Sequence, residues 1–333
     1  MRNESPTPKI KVSEGEDFLT TVREGLRQHP RSIPPKFFYD TRGSQLFDLI
    51  CKTPEYYPTR TETGILEKFG EQMATLTGKS CVLIELGSGS ATKTPLLLKH
   101  LHEDAVYVPI DICEPHLIDS TQRLQAMFPE IKMHPLHGDY THLPSTALDE
   151  YSNNRKVLYF PGSTIGNSTP EEALQLLRHA AKLVGKTGAM LIGVDSKKSP
   201  EVLNAAYNDA NGYTAEFNLN LLEHMRKELG AQIEADGFKH YAYYNATHGR
   251  VEMHLVSQRK QDIVLNGERF AFEHGDTIHT ENSYKYTALE FQQLANNSGW
   301  YPKMLWTDRD NLFNVHYLSL NAYEPRHLPQ QLR

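Results

Sequence analysis

The run Val82-Leu-Ile-Glu-Leu-Gly-Ser-Gly-Ser-Ala-Thr-Lys-Thr94 joins an apolar stretch, an acid and two close glycines. That order reads as a strand turning sharply into a helix, where nucleotide cofactors are held. Gly87 and Gly89 let backbone approach a ligand without a Cβ between, and the amides opening the next helix present positive charge. Three ligand classes fit such a turn. A phosphate loop of the form G-x-x-x-x-G-K-[ST] would align Gly87 and Lys93-Thr94 but needs its second glycine where Thr92 stands. A dinucleotide fingerprint needs glycine at the same place. What survives is a loop with an acid, Glu85, at its strand end and no third glycine. It suits a smaller ligand with a positive centre, such as S-adenosylmethionine.

Further polar loops follow apolar runs. Asp111 ends the next run about two dozen residues on, where an acid can accept both hydroxyls of a ribose. NAD enzymes place an acid there too, so Asp111 supports a nucleoside without choosing the cofactor. Gly138-Asp139-Tyr140 pairs a carboxylate, suited to an adenine amino group, with a ring to line the base. Pro161-Gly-Ser-Thr-Ile-Gly-Asn167 is dense in donors, and Ser163, Thr164 and Asn167 with the backbone amides could hold a carboxylate and an amine. Each acid also has an ordinary reading as a cap or turn residue. The recurrence of such loops at successive run ends weighs against that reading.

The elements behind these loops alternate. Strands are predicted over 82–86, 106–112, 156–160 and 189–194, and helices over 96–102, 117–127 and 170–184, the last opened by Ser168-Thr-Pro-Glu-Glu. Strand alternating with helix means a parallel sheet covered on both faces, with ligands at the carboxyl ends of its strands. After Asp195 the pattern changes to a helical region, 204–229, and strand-like pieces at 239–245, 250–257 and 263–265, which together read as an insertion. A helix over 287–296 and strands over 303–306 and 314–320, joined by a short link, return to the sheet as an antiparallel hairpin.

Bulk properties bound the partners. The 333 residues are 39% hydrophobic and carry a formal charge of −6, with no basic cluster to neutralise phosphates, so a globular protein acting on small molecules is expected and a nucleic-acid binder is not. Cys51, Cys81 and Cys113 are odd in number and suggest a reducing compartment rather than a disulfide framework. The polar start of the chain is no signal peptide, and no run reaches membrane-spanning length, so a cytoplasmic location with no membrane partner is expected. His134-x-x-His137 is the closest pair among sixteen histidines, and no further motif completes a metal site, so no metal is expected.

Several longer motifs carry a resemblance: Pro34-Pro-Lys-Phe-Phe-Tyr-Asp40, Pro54-Glu-Tyr-Tyr-Pro-Thr-Arg-Thr-Glu62, Glu85-Leu-Gly-Ser-Gly89 with Lys93-Thr94, Gly162-Ser-Thr-Ile-Gly-Asn167, Ala206-Tyr-Asn-Asp209 and Thr280-Glu-Asn-Ser-Tyr-Lys285. With them the chain resembles, over nearly its whole length, the S-adenosylmethionine-dependent histidine Nα-methyltransferases of ergothioneine biosynthesis. The resemblance implies a class I methyltransferase core, Rossmann-like with a mostly parallel sheet and an antiparallel last strand, over 61–197 and 286–333. It also implies a second, α+β substrate-binding domain over 8–60 and 198–285, and a monomer. The implied reaction puts three methyl groups on the α-amine of L-histidine through its methylated intermediates, giving trimethylhistidine (hercynine) and S-adenosylhomocysteine.

Residue by residue, the resemblance puts S-adenosylmethionine against Gly87, Gly89 and Lys93 beyond the acid Glu85, with its ribose on Asp111 and its adenine at Asp139 and Tyr140. Asn167 and Tyr207 would meet the substrate carboxylate, and Tyr39 the α-amine with Gly162 and Thr164. Tyr56, Glu281 and Ser283 would hold the imidazole, and Met253 and Phe47 would shape its pocket. Tyr39, Asn167 and Glu281 are the implied catalytic residues. Tyr140 where phenylalanine is usual, and Pro161 before the Gly-Ser-Thr loop, depart from the family's pattern.

The residue types suit methyl transfer. The donor arrives activated, so alignment and desolvation are the protein's task, and tyrosine faces tolerate the quaternary ammonium that forms. Tyr39 could equally be core beside Phe37 and Phe38, and Glu281-Asn-Ser without the family would be a surface stretch. In an extended segment Glu281 and Ser283 would share one face and could grip one small ring. Tyr57 and Arg60 are expected to be structural. The rival readings are an N-methyltransferase of another aromatic amino acid, a non-catalytic amino-acid or nucleotide binding protein, and an NAD-dependent dehydrogenase, the last disfavoured by Thr92.

Overall fold

Strands buried on both faces read as unbroken apolar runs, and Val82–Leu86 is buried at every position. The computed structural model describes residues 18–144 and 146–323. The polar start of the chain, and residues 8–17 and 324–333 of the expected domains, lie outside the described residues. Two compact units are formed, residues 58–197 with 286–323, and 18–57 with 198–285.

The first unit is built on an eight-stranded sheet. From one edge its order is Tyr301–Thr307, Phe313–Ser319, Ala189–Asp195, Lys156–Phe160, Val82–Leu86, Val106–Asp111 and Lys132–Met133, with Leu136–His137 also paired to Val106–Asp111. Pairing is parallel from Ala189–Asp195 to Lys132–Met133, while Phe313–Ser319 runs antiparallel to both its neighbours. The expected hairpin is present, and its second strand enters the sheet interior rather than an edge. Leu83, Tyr107, Val157, Leu191 and Val315 join Leu66, Met73, Leu97 and Leu124 in one core cluster. The helix Pro170–Val184 starts where its sequence predicts, with a reciprocal cap between Thr169 and Glu172. The expected helix over 96–102 is shorter, Pro95–Leu98, because His100 and Leu101 close tight turns onto Leu97 and Leu98.

The chain lays strands to one side of Val82–Leu86, then returns to the other side with Lys156–Phe160. Ligands of open α/β sheets gather at such a reversal, at the carboxyl ends of the strands. The loops at this point are the glycine turn and Pro161-Gly-Ser-Thr, two of the polar loops singled out by sequence.

The second unit has a four-stranded sheet, in the order Arg31–Ser32, Thr277–Tyr284, Arg250–Ser257, Phe238–Asn245, and a separate hairpin of Gln261–Leu265 and Glu268–Phe272. Two differences from the expected pattern matter. The helix expected over 204–229 is two helices, Pro200–Ala206 and Tyr213–Leu229. Between them Asp209 accepts from the backbone N–H groups of Tyr213 and Thr214 at 3.0 and 2.8 Å, so it satisfies two free donors at the start of the second helix. The strand Thr277–Tyr284 has no sequence signal, because its register shifts between His279 and Glu281 and leaves Thr280 and Glu281 both buried. A bulge of this kind erases the alternation by which strands are recognised.

The first unit also depends on one missing side chain. A Cβ on Gly193 would lie 2.2 Å from Glu62 Oε1 and 3.0 Å from the Phe313 ring. Gly193→Ala is therefore expected to cost about 1–3 kcal/mol by overpacking. A thermal melt within a degree of the unsubstituted protein would contradict this.

Candidate active site

The glycine turn is shaped by hydrogen bonds to the neighbouring strand. Gly87 and Gly89 have φ of 68° and 49°, in the left-handed region that glycine enters without strain. The N–H groups of Gly87 and Ser88 donate to the Ile110 carbonyl at 2.9 and 3.0 Å. Gly89 N–H donates to Asp111 Oδ2 at 2.8 Å and Cys113 N–H to Asp111 Oδ1 at 2.9 Å. The Asp111 carboxylate is thus fixed by one amide on each oxygen and keeps further lone pairs, as a ribose diol requires. Ser88 Oγ, in the same turn, is buried without a partner among the described residues. Glu85 is fully engaged elsewhere, accepting from Thr94 at 2.8 Å and from the Tyr107 hydroxyl at 2.5 Å. Burial pushes its carboxyl up to about 7, against those hydrogen bonds. Its place is a brace beneath the turn.

Glu62, from the helix Tyr57–Thr77, joins the two loops at the sheet's reversal. Its Oε2 forms an ion pair with Lys93 and accepts the Gly162 N–H at 2.9 Å, while its Oε1 is buried without a partner among the described residues. The side chain is 1% exposed. Nothing in composition or periodicity pointed to it; the only signal was its place at the end of the Pro54–Glu62 motif.

The remaining first-unit residues fall at strand ends as expected. Asp139 caps the short helical turn Tyr140–His142, its Oδ1 accepting from Thr141 N–H at 2.9 Å, so the capping reading describes it in this structure. The Tyr140 ring packs edge-on against Phe160 with centroids 5.4 Å apart, and a Cβ on Gly87 would touch it at 3.5 Å, so its edge borders the glycine turn. Ser163 takes the left-handed conformation, φ 60°, and its Oγ accepts from Asp195 N–H. Thr164 Oγ1 donates to Pro161 O at 3.0 Å. The Asn167 side chain, half-buried, makes no hydrogen bond among the described residues.

The second unit assembles the rest. Tyr39 follows the turn Pro35–Phe38, and Phe47 lies on the helix Thr41–Ile50, whose start Asp40 caps by accepting from Gly43 N–H at 2.7 Å. Aromatic contacts run in sequence: Tyr39 to Phe47 at 5.8 Å, Phe47 to Tyr56 at 6.1 Å, Tyr56 to Tyr207 at 6.2 Å, with Phe217 against Tyr39 at 5.5 Å. These are edge-to-face contacts, the geometry that the ring quadrupoles of aromatic pairs prefer. Phe37 packs on Phe18, while Phe38 shares Phe217 with Tyr39; Phe37 and Phe38 are buried and Tyr39 is half-buried. Tyr57 differs from Tyr56: its hydroxyl accepts from Lys198 at 2.6 Å. Burial holds the Tyr56 phenol well above its ordinary range, so it keeps its proton.

Glu281 and Ser283 are buried on the same face of Thr277–Tyr284, opposite Met253 and Val251, so the surface reading of this stretch is corrected. Glu281 is 8% exposed and its carboxylate has no hydrogen bond among the described residues. Desolvation pushes it up to about 7, opposed by the charge of Lys285. Ser283 Oγ accepts from the Tyr207 hydroxyl at 2.7 Å and from Lys285 Nζ at 2.8 Å, and Lys285 also donates to the Tyr207 oxygen at 3.0 Å. Lys285 lay in the last motif quoted above, yet its chemistry was not anticipated.

One group of possible metal ligands, Glu252, His254 and His279, lies on the same sheet with ligand atoms within 4.8 Å of one another. Glu252 already accepts from Arg250, Asn245, Tyr243 and His254, which leaves a cation little to bind. His134 pairs with the Tyr151 hydroxyl and His137 with the Ile112 carbonyl, so the closest sequence pair is engaged separately. No helix among the described residues is long and apolar enough to cross a membrane.

A parallel sheet with one antiparallel strand inserted beside its edge, a glycine turn at the reversal and an acid closing the next strand define a class I S-adenosylmethionine-dependent methyltransferase. Known proteins narrow this. The model of the S-adenosylmethionine-dependent histidine-specific methyltransferases matches residues 18–320. A histidine N-alpha-methyltransferase from Mycobacterium tuberculosis (strain CDC 1551 / Oshkosh) is 34% identical over 303 residues, covering 88% of this chain and 92% of that protein. Ergothioneine biosynthesis protein 1 of Neurospora crassa is 32% identical over 297 residues, 87% of this chain and 33% of that protein. A 4-dimethylallyltryptophan N-methyltransferase from Aspergillus fumigatus is 30% identical over 308 residues, 87% of this chain and 89% of that protein. The chain belongs to the S-adenosylmethionine-dependent, histidine-specific methyltransferase family.

The state of Glu281 generates a prediction that needs no substrate. Its folded-state value of about 7 exceeds the ordinary 4.5, so between these values the native state binds more proton than the unfolded chain, and stability falls as pH rises across that window. Glu281→Gln removes the burden. The variant should melt higher than the unsubstituted protein at pH 8, by on the order of 2 kcal/mol, and the gap should close toward pH 5. A gap independent of pH would show that the carboxylate is not strained by burial.

Proposed function

We propose that the protein transfers three methyl groups from S-adenosylmethionine to the α-amine of L-histidine, giving Nα,Nα,Nα-trimethylhistidine and three equivalents of S-adenosylhomocysteine. The observation that carries this reading is the buried Glu281 carboxylate, which has no hydrogen-bond partner among the described residues and lies on one strand face with Ser283, near the Tyr56 phenol. An imidazole N–H offers Glu281 the charge-assisted bond it lacks. An apolar ring would leave the acid desolvated and unpaired, at a cost of several kcal/mol.

Bound S-adenosylmethionine supplies a methyl group already activated on a sulfonium. Gly87 and Gly89 would give it backbone room, Asp111 would accept its ribose hydroxyls, Tyr140 would line its adenine with Asp139 at the rim, and Lys93 with Ser88 would meet its amino-acid end. The fit rests on the fixed Asp111 carboxylate and the buried, unpartnered Ser88 Oγ. Glu85 and Glu62 would act beneath, one bracing the turn and one holding Lys93.

In the substrate half, Glu281 accepts an imidazole N–H and Ser283 bonds the other ring nitrogen, with Met253 and Phe47 limiting the ring's space. Tyr207 bonds the carboxylate and Tyr39 meets the amine, which must be neutral to attack; in the first unit, Asn167, Gly162 and Thr164 offer polar groups of the kind that a carboxylate and an amine need. Tyr56 keeps its proton, so it orients rather than deprotonates. The tyrosine faces also accept the permanent positive charge that the third transfer creates. We further propose a monomer acting in the cytoplasm; the free Cys51, Cys81 and Cys113 fit a reducing compartment.

Two measurements test the reading. Incubation with histidine and S-adenosylmethionine should add three methyl groups by mass; a product that stops at one or two would refute trimethylation, and no product would refute the substrate. Glu281→Ala should weaken histidine by about 100-fold and relax the preference toward tryptophan. Unchanged histidine turnover would remove Glu281 from ring recognition.

A further inference from the structure

Lys285 is 2% exposed, at the end of the strand that carries Glu281 and Ser283. An ammonium group only donates, and a buried one is retained at a cost unless its surroundings use it. Here its Nζ lies 2.8 Å from Ser283 Oγ and 3.0 Å from the Tyr207 hydroxyl oxygen, with those two oxygens 2.7 Å apart. Both hydroxyls therefore spend a lone pair on Lys285, and neither can donate back to it. Each proton is turned elsewhere. Tyr207 directs its own to Ser283 in this structure, which leaves the Ser283 proton pointed away from both partners.

We propose that Lys285 is a positioning residue that makes donors of the Ser283 and Tyr207 hydroxyls, so that the site admits histidine as a neutral ring in one tautomer. The inference rests on the reading that this unit binds histidine, and it adds what that reading left open. Glu281 accepts from one ring nitrogen, which must carry hydrogen. Ser283, held as a donor, needs a bare lone pair on the other. A doubly protonated imidazolium would set an N–H against the Ser283 O–H, and the opposite tautomer would leave both groups mismatched. When a carboxylate arrives, the Tyr207 proton can swing from Ser283 to the ligand, because Lys285 still fills the acceptor side of both oxygens. Lys285 also supplies the positive charge that favours ionised Glu281. A side chain of similar length without a donor, such as methionine, would leave the hydroxyl pair free to reverse direction, with Ser283 donating to Tyr207 and presenting only lone pairs to the ring.

The test is a mutant cycle on histidine affinity, measured by calorimetry in the presence of S-adenosylhomocysteine. Lys285→Met in the otherwise unchanged enzyme should weaken histidine about tenfold or more, with a smaller fall in kcat. In a Ser283→Ala, Tyr207→Phe background, where there are no hydroxyls to orient, the same substitution should change affinity less than about threefold. Equal losses in both backgrounds would overturn the proposal, since Lys285 would then act on the ligand without the hydroxyls. Lys285→Gln, which keeps a donor, should recover part of the loss; a Gln variant no better than Met would count against hydroxyl orientation. S-adenosylhomocysteine binding reports folding of each variant, and if Lys285→Met fails to bind it, the same cycle with Lys285→Gln decides by the same criterion. Failure of the unsubstituted enzyme to methylate histidine would refute the proposed substrate; normal histidine methylation with an additive cycle would refute only the role of Lys285.

Discussion

The interaction on which the cofactor half depends is the shared use of one carboxylate oxygen, Glu62 Oε2, by the Lys93 ammonium and the Gly162 amide. A carboxylate buried to this degree costs several kcal/mol unless it is paired and hydrogen-bonded. Both partners come from loops at the sheet's reversal, so satisfying Glu62 fixes the loops relative to each other. Gly193 shows how little tolerance there is, since its bare Cα is what leaves space for the other oxygen. Removing either partner would strand a charge in the core, and both loops would lose their common anchor.

The second unit meets a similar electrostatic problem differently. Glu85 and Glu281 are both pushed up to about 7 by burial. Glu85 is compensated inside the protein by Thr94 and Tyr107. Glu281 has the nearby charge of Lys285 and no hydrogen bond among the described residues. Burial is thus met by hydrogen bonds in the first case and by a neighbouring charge in the second.

Much of the first unit was legible because its physics is local. Runs such as Val82–Leu86 and Lys156–Phe160 are apolar throughout and end at turn residues, and Thr169 with Glu172 announces a helix start. The second unit was less legible because its elements depend on distant partners. The bulge before Glu281 broke the period of two, and apolar spacing continued on both sides of Asn208-Asp209 although the backbone breaks there. Asn-Asp-Ala-Asn-Gly at 208–212 was a turn signal that outweighed the helical spacing around it. Lys285 and Glu62 could not be found by pattern, since their significance is the identity of what they touch. Glu281 was legible only through family resemblance, because burial of a polar stretch is a tertiary fact.

The position of Phe313–Ser319 between Ala189–Asp195 and Tyr301–Thr307 has a consequence for biosynthesis. Chains emerge from the ribosome N-terminus first and fold domain by domain. Ala189–Asp195 is made early, yet the strand that covers its outer edge is made only after residues 198–285 have emerged. For that interval the nascent sheet carries an unpaired edge that is apolar up to Asp195, the kind that templates aggregation. The insertion therefore delays closure of the sheet that it interrupts. Until Phe313–Ser319 is made, Ala189–Asp195 is therefore a segment that chaperones would have to shield.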